Sequence, residues 1–252
     1  MPWNSEDRLR HPHPLAAWFE RFVQPTADEY AAIASVPFEI RAIPADQCLH
    51  HAGGSDGPIT LVLEGLLCSY RMLDAVKCQI VALHIPGDWP DLEILWLNRL
   101  GADIESLAPC RIACLEASAL RALCRDQPRL AALLWSQTLV ASSIAREWIV
   151  NMGHRPAVIA LAHLFCEIVT RLEAVGLAHG GICDLPLTQV HLSRATGLSL
   201  VHLNRSLQEL RRRGLISFGD GRLAVHDWAA LAALGQFSEG YLHRQPPLWL
   251  AA

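Results

Sequence analysis

The chain has 252 residues, of which 52% are hydrophobic and 18% are charged. This composition is typical of a compact globular protein and excludes an intrinsically disordered chain, while the length suits one large domain or two ordinary ones. The formal net charge is −4. The eight cysteines include no CxxC pair, so we expect most of them to be buried thiols in a reducing compartment.

Neither a membrane span nor a secretory leader is predicted. The longest uncharged stretches, residues 130–145 and 156–166, are too polar or too short for a transmembrane helix, which needs about 20 apolar residues. Residues 1–14 carry charges of both signs and lack an apolar core. We therefore expect a cytoplasmic protein without a membrane partner.

The average charge hides an asymmetry along the chain. Residues 185–225 contain six arginines and two acidic residues, a local charge of +4, so the remainder carries −8. Such a split predicts a basic contact surface on a mildly acidic body.

The first half predicts two helices followed by a β-rich region. Residues 15–23 have apolar positions at helical spacing, and Thr26 can cap a second helix. Between residues 38 and 112, short β-type runs alternate with turns rich in glycine, proline and aspartate. The clearest runs are residues 60–63, 66–72, 79–85 and 111–115. Strands spaced this closely predict an antiparallel roll or barrel.

A long helix is predicted next, after a short one over residues 117–124. It begins at Pro128 and runs to about residue 152. Apolar and small residues recur within it in steps of four and three, the pattern of a dimeric coiled coil. These candidate dimerisation residues are Leu130, Leu134, Gln137, Ala141, Ile144 and Trp148. An amphipathic helix packed on its own domain remains an alternative, and residues 153–156 form the best domain boundary.

The basic segment predicts a helix-turn-helix followed by a two-stranded wing. After a helix over residues 157–175 and a loop over 178–184, Thr188 caps one short helix and Ser199 caps another over residues 200–213. Gly197 permits the sharp turn between them. Gly214 ends the second helix, and two short strands flank the turn at residues 219–221.

In such a motif the second helix lies in the major groove of DNA. Arg205 can reach a guanine edge or a phosphate, His202 can bond to a base, and Val201 can contact a thymine methyl group. Thr188 and Gln189 would offer polar groups to phosphate at the start of the first helix. The arginines at residues 211–213 are as well explained by a solvated helix end. The candidate DNA-binding residues are Thr188, Gln189, Ser199, Val201, His202 and Arg205.

With these segments in place, the chain resembles the Crp/Fnr family of transcription regulators over nearly its whole length. The resembling pieces are Val62-Leu-Glu-Gly65, Ile85-Pro-Gly-Asp88, Arg146-Glu-Trp148, Leu187-Thr-Gln189 and Leu215-Ile216. The resemblance implies an α+β protein with three parts. These are an N-terminal cyclic-nucleotide-binding-like antiparallel β-roll with its helices (residues 1–126), a dimerisation helix and hinge (127–154), and a C-terminal winged helix-turn-helix (155–252).

The recognition helix departs from the family pattern. In many members the serine that opens this helix is followed by Arg-Glu, with another arginine four residues beyond the glutamate. Here Leu200 and Val201 replace that pair, and only Arg205 is kept. The usual family target sequence is therefore not expected, and His202 is the local substitute.

No effector can be assigned to the sensor-like half. Family members that bind cyclic nucleotides use a Gly-Glu and an Arg-Ser pair; no Arg-Ser pair stands in the corresponding region, where Asp103 and Glu105 would repel a phosphodiester. An iron–sulfur cluster is not expected because no cysteine precedes Cys48. Cys48 with His50 and His51 could form a metal cluster, but adjacent histidines in a strand face opposite sides, so no metal site is predicted.

The sequence therefore predicts a sequence-specific DNA-binding regulator that acts as a homodimer on a pseudo-palindromic site, with RNA polymerase as a further candidate partner. A signalling or scaffold module whose winged helix binds protein is the alternative. No enzymatic motif is found, so an enzyme is not expected. Activators and repressors cannot be distinguished, because that depends on where the site lies relative to a promoter.

Overall fold

The computed structural model describes residues 13–55, 57–74 and 77–244. Residues 1–12, on which the prediction about a secretory leader rests, lie outside these ranges. Within the described part of the chain, no helix combines the length and the apolar character needed to cross a bilayer.

Two helices and seven strands form the first part of the chain, with a further short helix among the strands. They are α1 (Pro14–Phe19), α2 (Ala27–Ala34), β1 (Phe38–Ile43), β2 (Cys48–His50), β3 (Ile59–Glu64), β4 (Leu67–Met72), β5 (Cys78–His84), α3 (Ile94–Leu97), β6 (Asp103–Ser106) and β7 (Cys110–Leu115). Thr26 caps α2 as expected, in a reciprocal capping box with Glu29.

The strands form two antiparallel sheets, in the orders β1-β7-β3 and β2-β6-β4-β5, which confirms the predicted roll. Strands β1, β2 and β6 were not among the predicted runs; β2 and β6, with three and four residues, are too short to show an alternating pattern. Gly65 joins β3 to β4 with φ of +87°, and a Cβ there would lie 2.5 Å from the Pro109 carbonyl oxygen. Only glycine fits this turn.

The second part of the chain is helical with a small sheet. It comprises α4 (Ala117–Asp126), α5 (Pro128–His154), α6 (Ala157–Ala174), β8 (Ala178–His179), β9 (Ile182–Asp184), α7 (Gln189–Thr196), α8 (Leu200–Arg212), β10 (Ile216–Gly219), β11 (Arg222–Val225), α9 (Trp228–Gly235) and a 3-10 turn (Glu239–Leu242). Helix α5, with 27 residues, is about 40 Å long. It continues through Gly153, two residues beyond its predicted end.

The predicted loop over residues 178–184 is wrong: it is a β-hairpin. Strand β9 pairs with β11, so the wing has four strands in the order β10-β11-β9-β8. Gly180 and Gly181, both at positive φ, form its turn. A Gly-Gly pair is a hairpin signal, but strands of two and three residues show too little pattern to reveal it.

Two hydrophobic cores hold the molecule together. One lies between the N-terminal helices, the β1-β7-β3 sheet, α4 and the start of α5. The other contains α6 and the winged helix, and it also includes side chains of the second sheet, among them Cys68, Ile80 and Leu83. The C-terminal domain is therefore packed directly on the β2-β6-β4-β5 sheet of the roll.

A buried polar network ties α5, α6 and the C-terminal turn together. The Glu167 carboxylate is fully buried and accepts hydrogen bonds from the Trp148 indole at 3.0 Å, from the Tyr241 hydroxyl at 2.9 Å and from Arg171 at 3.4 Å. Burial raises the pKa of the Glu167 carboxyl. Arg171 also pairs with Asp88 of the roll, so the network reaches both domains.

Candidate nucleic-acid interface

Local capping fixes the two helices of the helix-turn-helix. The Thr188 hydroxyl accepts from the His191 amide at 3.2 Å, and His191 Nδ1 accepts from the Thr188 amide at 3.3 Å. Ser199 caps α8 by accepting from the His202 amide at 3.3 Å. Gly197 ends α7 in the left-handed region, with φ of +70°. These are the positions that the sequence marked, because caps and turn glycines are local features.

Helix α8 is anchored by one face. Leu203, Leu207 and Leu210 are fully buried in the C-terminal core. Ser206 is buried beside them and donates to the His202 carbonyl oxygen at 3.0 Å. Burying this stripe fixes the rotation of the helix, so its opposite face points away from the core.

All six candidate DNA-binding residues lie on the surface of the helix-turn-helix. Val201 is 60% exposed, and His202 and Arg205 are exposed beside it on α8. The hydroxyls of Thr188 and Ser199 accept backbone hydrogen bonds, so each keeps its own hydrogen available for a phosphate oxygen. Gln189 is exposed at the first turn of α7.

Arg205 differs from the three arginines that follow it. Among the described residues its side chain makes no hydrogen bond or ion pair. Arg212 and Arg213 instead share Glu209 at 2.8 and 2.7 Å. Their hydrogen bonds lower the pKa of the Glu209 carboxyl to about 2. Arg211 donates to the Phe218 carbonyl oxygen in the wing at 2.6 Å. The guanidinium of Arg205 is thus free for an external ligand, whereas the other three support α8 and the wing.

Sequence reasoning did not count other exposed polar residues of the helix-turn-helix and wing among the DNA-binding candidates. Asn204 and Gln208 flank Arg205 on the outer face of α8, and both side-chain types can bond to adenine edges. Arg194 on α7 and Arg222 at the wing turn are also exposed. Helical spacing from Val201 could have revealed the first two, because positions three, four and seven residues on share its face.

The long helix buries much of the predicted seam within its own chain. Leu130 and Leu134 pack in the N-terminal core, and Trp148 packs in the C-terminal core against Glu167. Ile144 packs partly against that second core. Gln137 is half-buried and Ala141 is exposed between them. Contrary to expectation, the seam therefore turns toward the body at both ends, because both domains dock on the apolar positions of α5.

The free face of α5 is displaced from that seam by one residue. The residues of this face recur in steps of three and four along the helix, and all six are exposed: Trp135, Thr138, Ser142, Ala145, Ile149 and Met152. Trp135 and Ile149 are 64% and 67% exposed, which is unusual for side chains of this size. We call these six residues the outer seam.

In the sensor half, the acidic side chains of the loop after β5 accept hydrogen bonds from backbone amides. The buried Asp91 carboxylate accepts from the Thr60 amide at 2.9 Å, and Glu93 accepts from the Gly101 amide at 2.6 Å. Burial raises the pKa of Asp91 to about 7. Asp103, one of the acids expected to repel a phosphodiester, instead lies beside Cys48 and His51.

Comparison with known proteins agrees with this geometry. Residues 160–234 match the Crp-like helix-turn-helix domain. The transcriptional activator FnrL of Cereibacter sphaeroides is 24% identical over 86% of this chain and 88% of its own length. The nitrogen fixation regulation protein FixK of Azorhizobium caulinodans is 24% identical, over 89% of this chain and 91% of its own.

A solved structure shares the fold. FixK2 from Bradyrhizobium japonicum superposes with a TM-score of 0.71 at 21% identity, over 80% of this chain and 99% of that one. The predicted fold class is thereby confirmed. A Crp-like helix-turn-helix domain lies in the chain's C-terminal third, and transcription regulators match most of its length, so the predicted resemblance to the Crp/Fnr family is confirmed.

Proposed function

We propose that the chain is a sequence-specific DNA-binding transcription regulator that acts as a homodimer. The observation that carries this proposal is the outer face of α8. Val201 and Arg205 project from it unpartnered by the rest of the described chain, on a helix that is fixed by its buried leucines. This is the arrangement in which a recognition helix enters the major groove.

The base-reading roles follow from side-chain chemistry. Arg205 would bond to a guanine edge, His202 to a neighbouring base, and Val201 would contact a thymine methyl group. Thr188, Gln189 and Ser199 would contact phosphates through hydroxyl, amide and backbone groups at the two helix starts. The three parts proposed for the chain are the roll up to residue 126, the helix over 127–154 and the winged helix from 155.

A second copy would pair through the outer seam of α5. Its apolar residues are exposed and spaced as in a coiled coil, while the opposite side of the helix is taken up by the chain's own domains. Two-fold pairing would present two α8 helices to one duplex and so favour a pseudo-palindromic site. Such a regulator acts where the chromosome is, in the cytoplasm, and next to a promoter it would lie within reach of RNA polymerase.

Selection of bound duplexes from random DNA by the purified chain tests this proposal. We expect enrichment of two related half-sites with inverted symmetry, with centres about 10 base pairs or a multiple apart. If no duplex were retained even at low salt, the winged helix would be assigned to binding protein instead. Enrichment of a single unsymmetrical half-site would contradict the dimer but not the DNA binding.

A further inference from the structure

Outside the nucleic-acid interface, one group of three metal-ligating side chains converges among the described residues. Cys48 Sγ lies 3.5 Å from His51 Nδ1, which in turn lies 3.2 Å from the Asp103 carboxylate. Cys48 and Asp103 are half-buried, whereas the His51 side chain is 82% exposed. The three residues come from the start of β2, the turn after it and the start of β6.

An irregularity in β2 creates this convergence. The register between β2 and β6 shifts between Cys48 and His50, so the residues around this point no longer alternate regularly. His50 turns inward and lies 3.4 Å from the Asp91 carboxylate. His51 turns outward, toward Cys48. The two adjacent histidines face opposite sides, as expected, but His51 lies beside both Cys48 and Asp103.

Two of the three spacings between ligand atoms match tetrahedral coordination. Zinc binds thiolate sulfur at about 2.3 Å, imidazole nitrogen at about 2.1 Å and carboxylate oxygen at about 2.0 Å. A tetrahedral angle then separates sulfur from nitrogen by about 3.6 Å and nitrogen from oxygen by about 3.3 Å. The distances in the structure, 3.5 and 3.2 Å, agree with both values.

Neighbouring groups hold two of the ligands in place and favour a cation. The Ala52 amide donates to the Asp103 carboxylate at 3.2 Å, and the Tyr70 hydroxyl hydrogen-bonds to the Cys48 thiol. Glu105 pairs with Cys48 across the sheet and adds a further negative charge. Such supporting contacts orient ligands at metal sites. Arg194 of α7 is the opposing charge that interacts with Glu105.

The site lies at the surface, because the His51 side chain is 82% exposed. Asp103 borders a cleft of about 680 Å³ that is also lined by Arg71, Glu93 and Arg99. Three protein ligands with an open fourth position are typical of zinc sites that exchange a water or another ligand. A thiolate with an imidazole selects borderline ions and disfavours magnesium and calcium, which prefer oxygen donors.

We propose that Cys48, His51 and Asp103 bind one divalent ion of the zinc type in each chain. The site is separate from the surface proposed to bind DNA, and binding of the ion does not depend on that function. The sequence raised Cys48 and His51 as possible ligands but did not predict a site, because it could not show that Asp103 lies beside them.

Cobalt titration of the reduced, metal-free full-length chain tests this site. Co²⁺ replaces Zn²⁺ in such sites and gives a thiolate charge-transfer band together with the visible bands of tetrahedral coordination. We expect about one equivalent of Co²⁺ per chain, displaced by Zn²⁺. Cys48→Ser should abolish the charge-transfer band, and His51→Ala and Asp103→Asn should each weaken binding about tenfold or more.

Two variants serve as matched controls. His50→Ala removes the adjacent histidine that faces Asp91, and Cys78→Ser removes another half-buried cysteine; both should leave the titration unchanged. Because His51 is highly exposed, His51→Ala should fold normally and keeps the test valid if Cys48→Ser does not fold. A wild-type chain without a thiolate band, or a band that survives both Cys48→Ser and His51→Ala, would overturn the proposal.

Discussion

The Arg171 guanidinium lies 2.7 Å from the Asp88 carboxylate and so joins α6 of the C-terminal domain to the turn after β5 in the roll. The same guanidinium donates to the Leu83 carbonyl oxygen at 2.9 Å and reaches Glu167 at 3.4 Å. Arg171 therefore contacts a buried carboxylate and the opposite domain at once.

Removing Arg171 should destabilise the protein through Glu167. Arg171→Met leaves the fully buried Glu167 carboxylate without its cation, and orphaned buried charges cost about 3 kcal/mol or more. We expect the free energy of unfolding in urea to fall by about that amount. Arg125→Met, which removes an exposed ion pair with Asp126, should change it by less than about 1 kcal/mol.

The double variant Arg171→Met with Glu167→Gln separates the charge from the packing. Because the amide carries no charge, we expect it to recover part of the lost stability. A double variant no more stable than Arg171→Met alone would show that the loss arises from packing rather than from the orphaned carboxylate.

Stability should fall as pH rises through the titration of Asp91. Burial raises the pKa of this carboxyl from 3.8 in the unfolded chain to about 7 in the folded protein, so the folded state binds the proton more tightly. Its contribution is fully present below pH 4 and is lost as pH rises to about 7, with a size on the order of 4 kcal/mol.

Asp91→Asn provides the comparison for that measurement. Groups that do not contact Asp91 titrate alike in both proteins, so the difference between their unfolding free energies at each pH reports on Asp91 together with His50, which lies 3.4 Å from it. Between pH 4 and pH 7, we expect the free energy of unfolding of the variant to rise relative to that of the wild type. A constant difference over that range would contradict a raised pKa.

Arg205 should be a specificity residue. Arg205→Ala is expected to weaken binding to the selected duplex by about 1–3 kcal/mol and to relax the preference at one base position, because one base-reading guanidinium is lost. Fluorescence anisotropy and repeated selection measure the two effects. Arg212→Ala, an exposed arginine on the same helix that already pairs with Glu209, should leave the selected sequence unchanged.

Arg222 should contribute through phosphate and not through base reading. It is exposed at the wing turn, so Arg222→Ala should weaken binding to all duplexes alike and reduce the dependence of log affinity on log salt by about one. Titrations at several salt concentrations measure this slope. A changed base preference with an unchanged slope would assign Arg222 to base contact instead.

The outer seam predicts which face of α5 pairs. Ile149→Glu would place two charges in the centre of the dimer, and we expect it to raise the dimer dissociation constant by at least about a hundredfold in analytical ultracentrifugation. Val150→Glu changes an exposed apolar neighbour on a different face of the helix and should leave the dimer intact. Equal effects of the two variants would contradict the outer seam.

The helix-turn-helix was predictable because its signals are local. Thr188, Gly197 and Ser199 mark helix ends within a few residues, and the leucines of α8 show its buried face by spacing alone. The family resemblance was strongest in this same segment. The β8-β9 hairpin was missed because its strands are shorter than any periodicity can show.

By itself, the sequence determined the order of elements, the caps and turns of the C-terminal domain and the outward position of Arg205, since each depends on neighbours along the chain. Only the tertiary structure decided which face of α5 stays free, because two domains compete for its apolar positions and cover Leu130 and Trp148. Tertiary structure alone also brought Asp103 to His51 across 52 positions. Strand pairing sets such distances, and the register of short strands is not encoded in any local pattern.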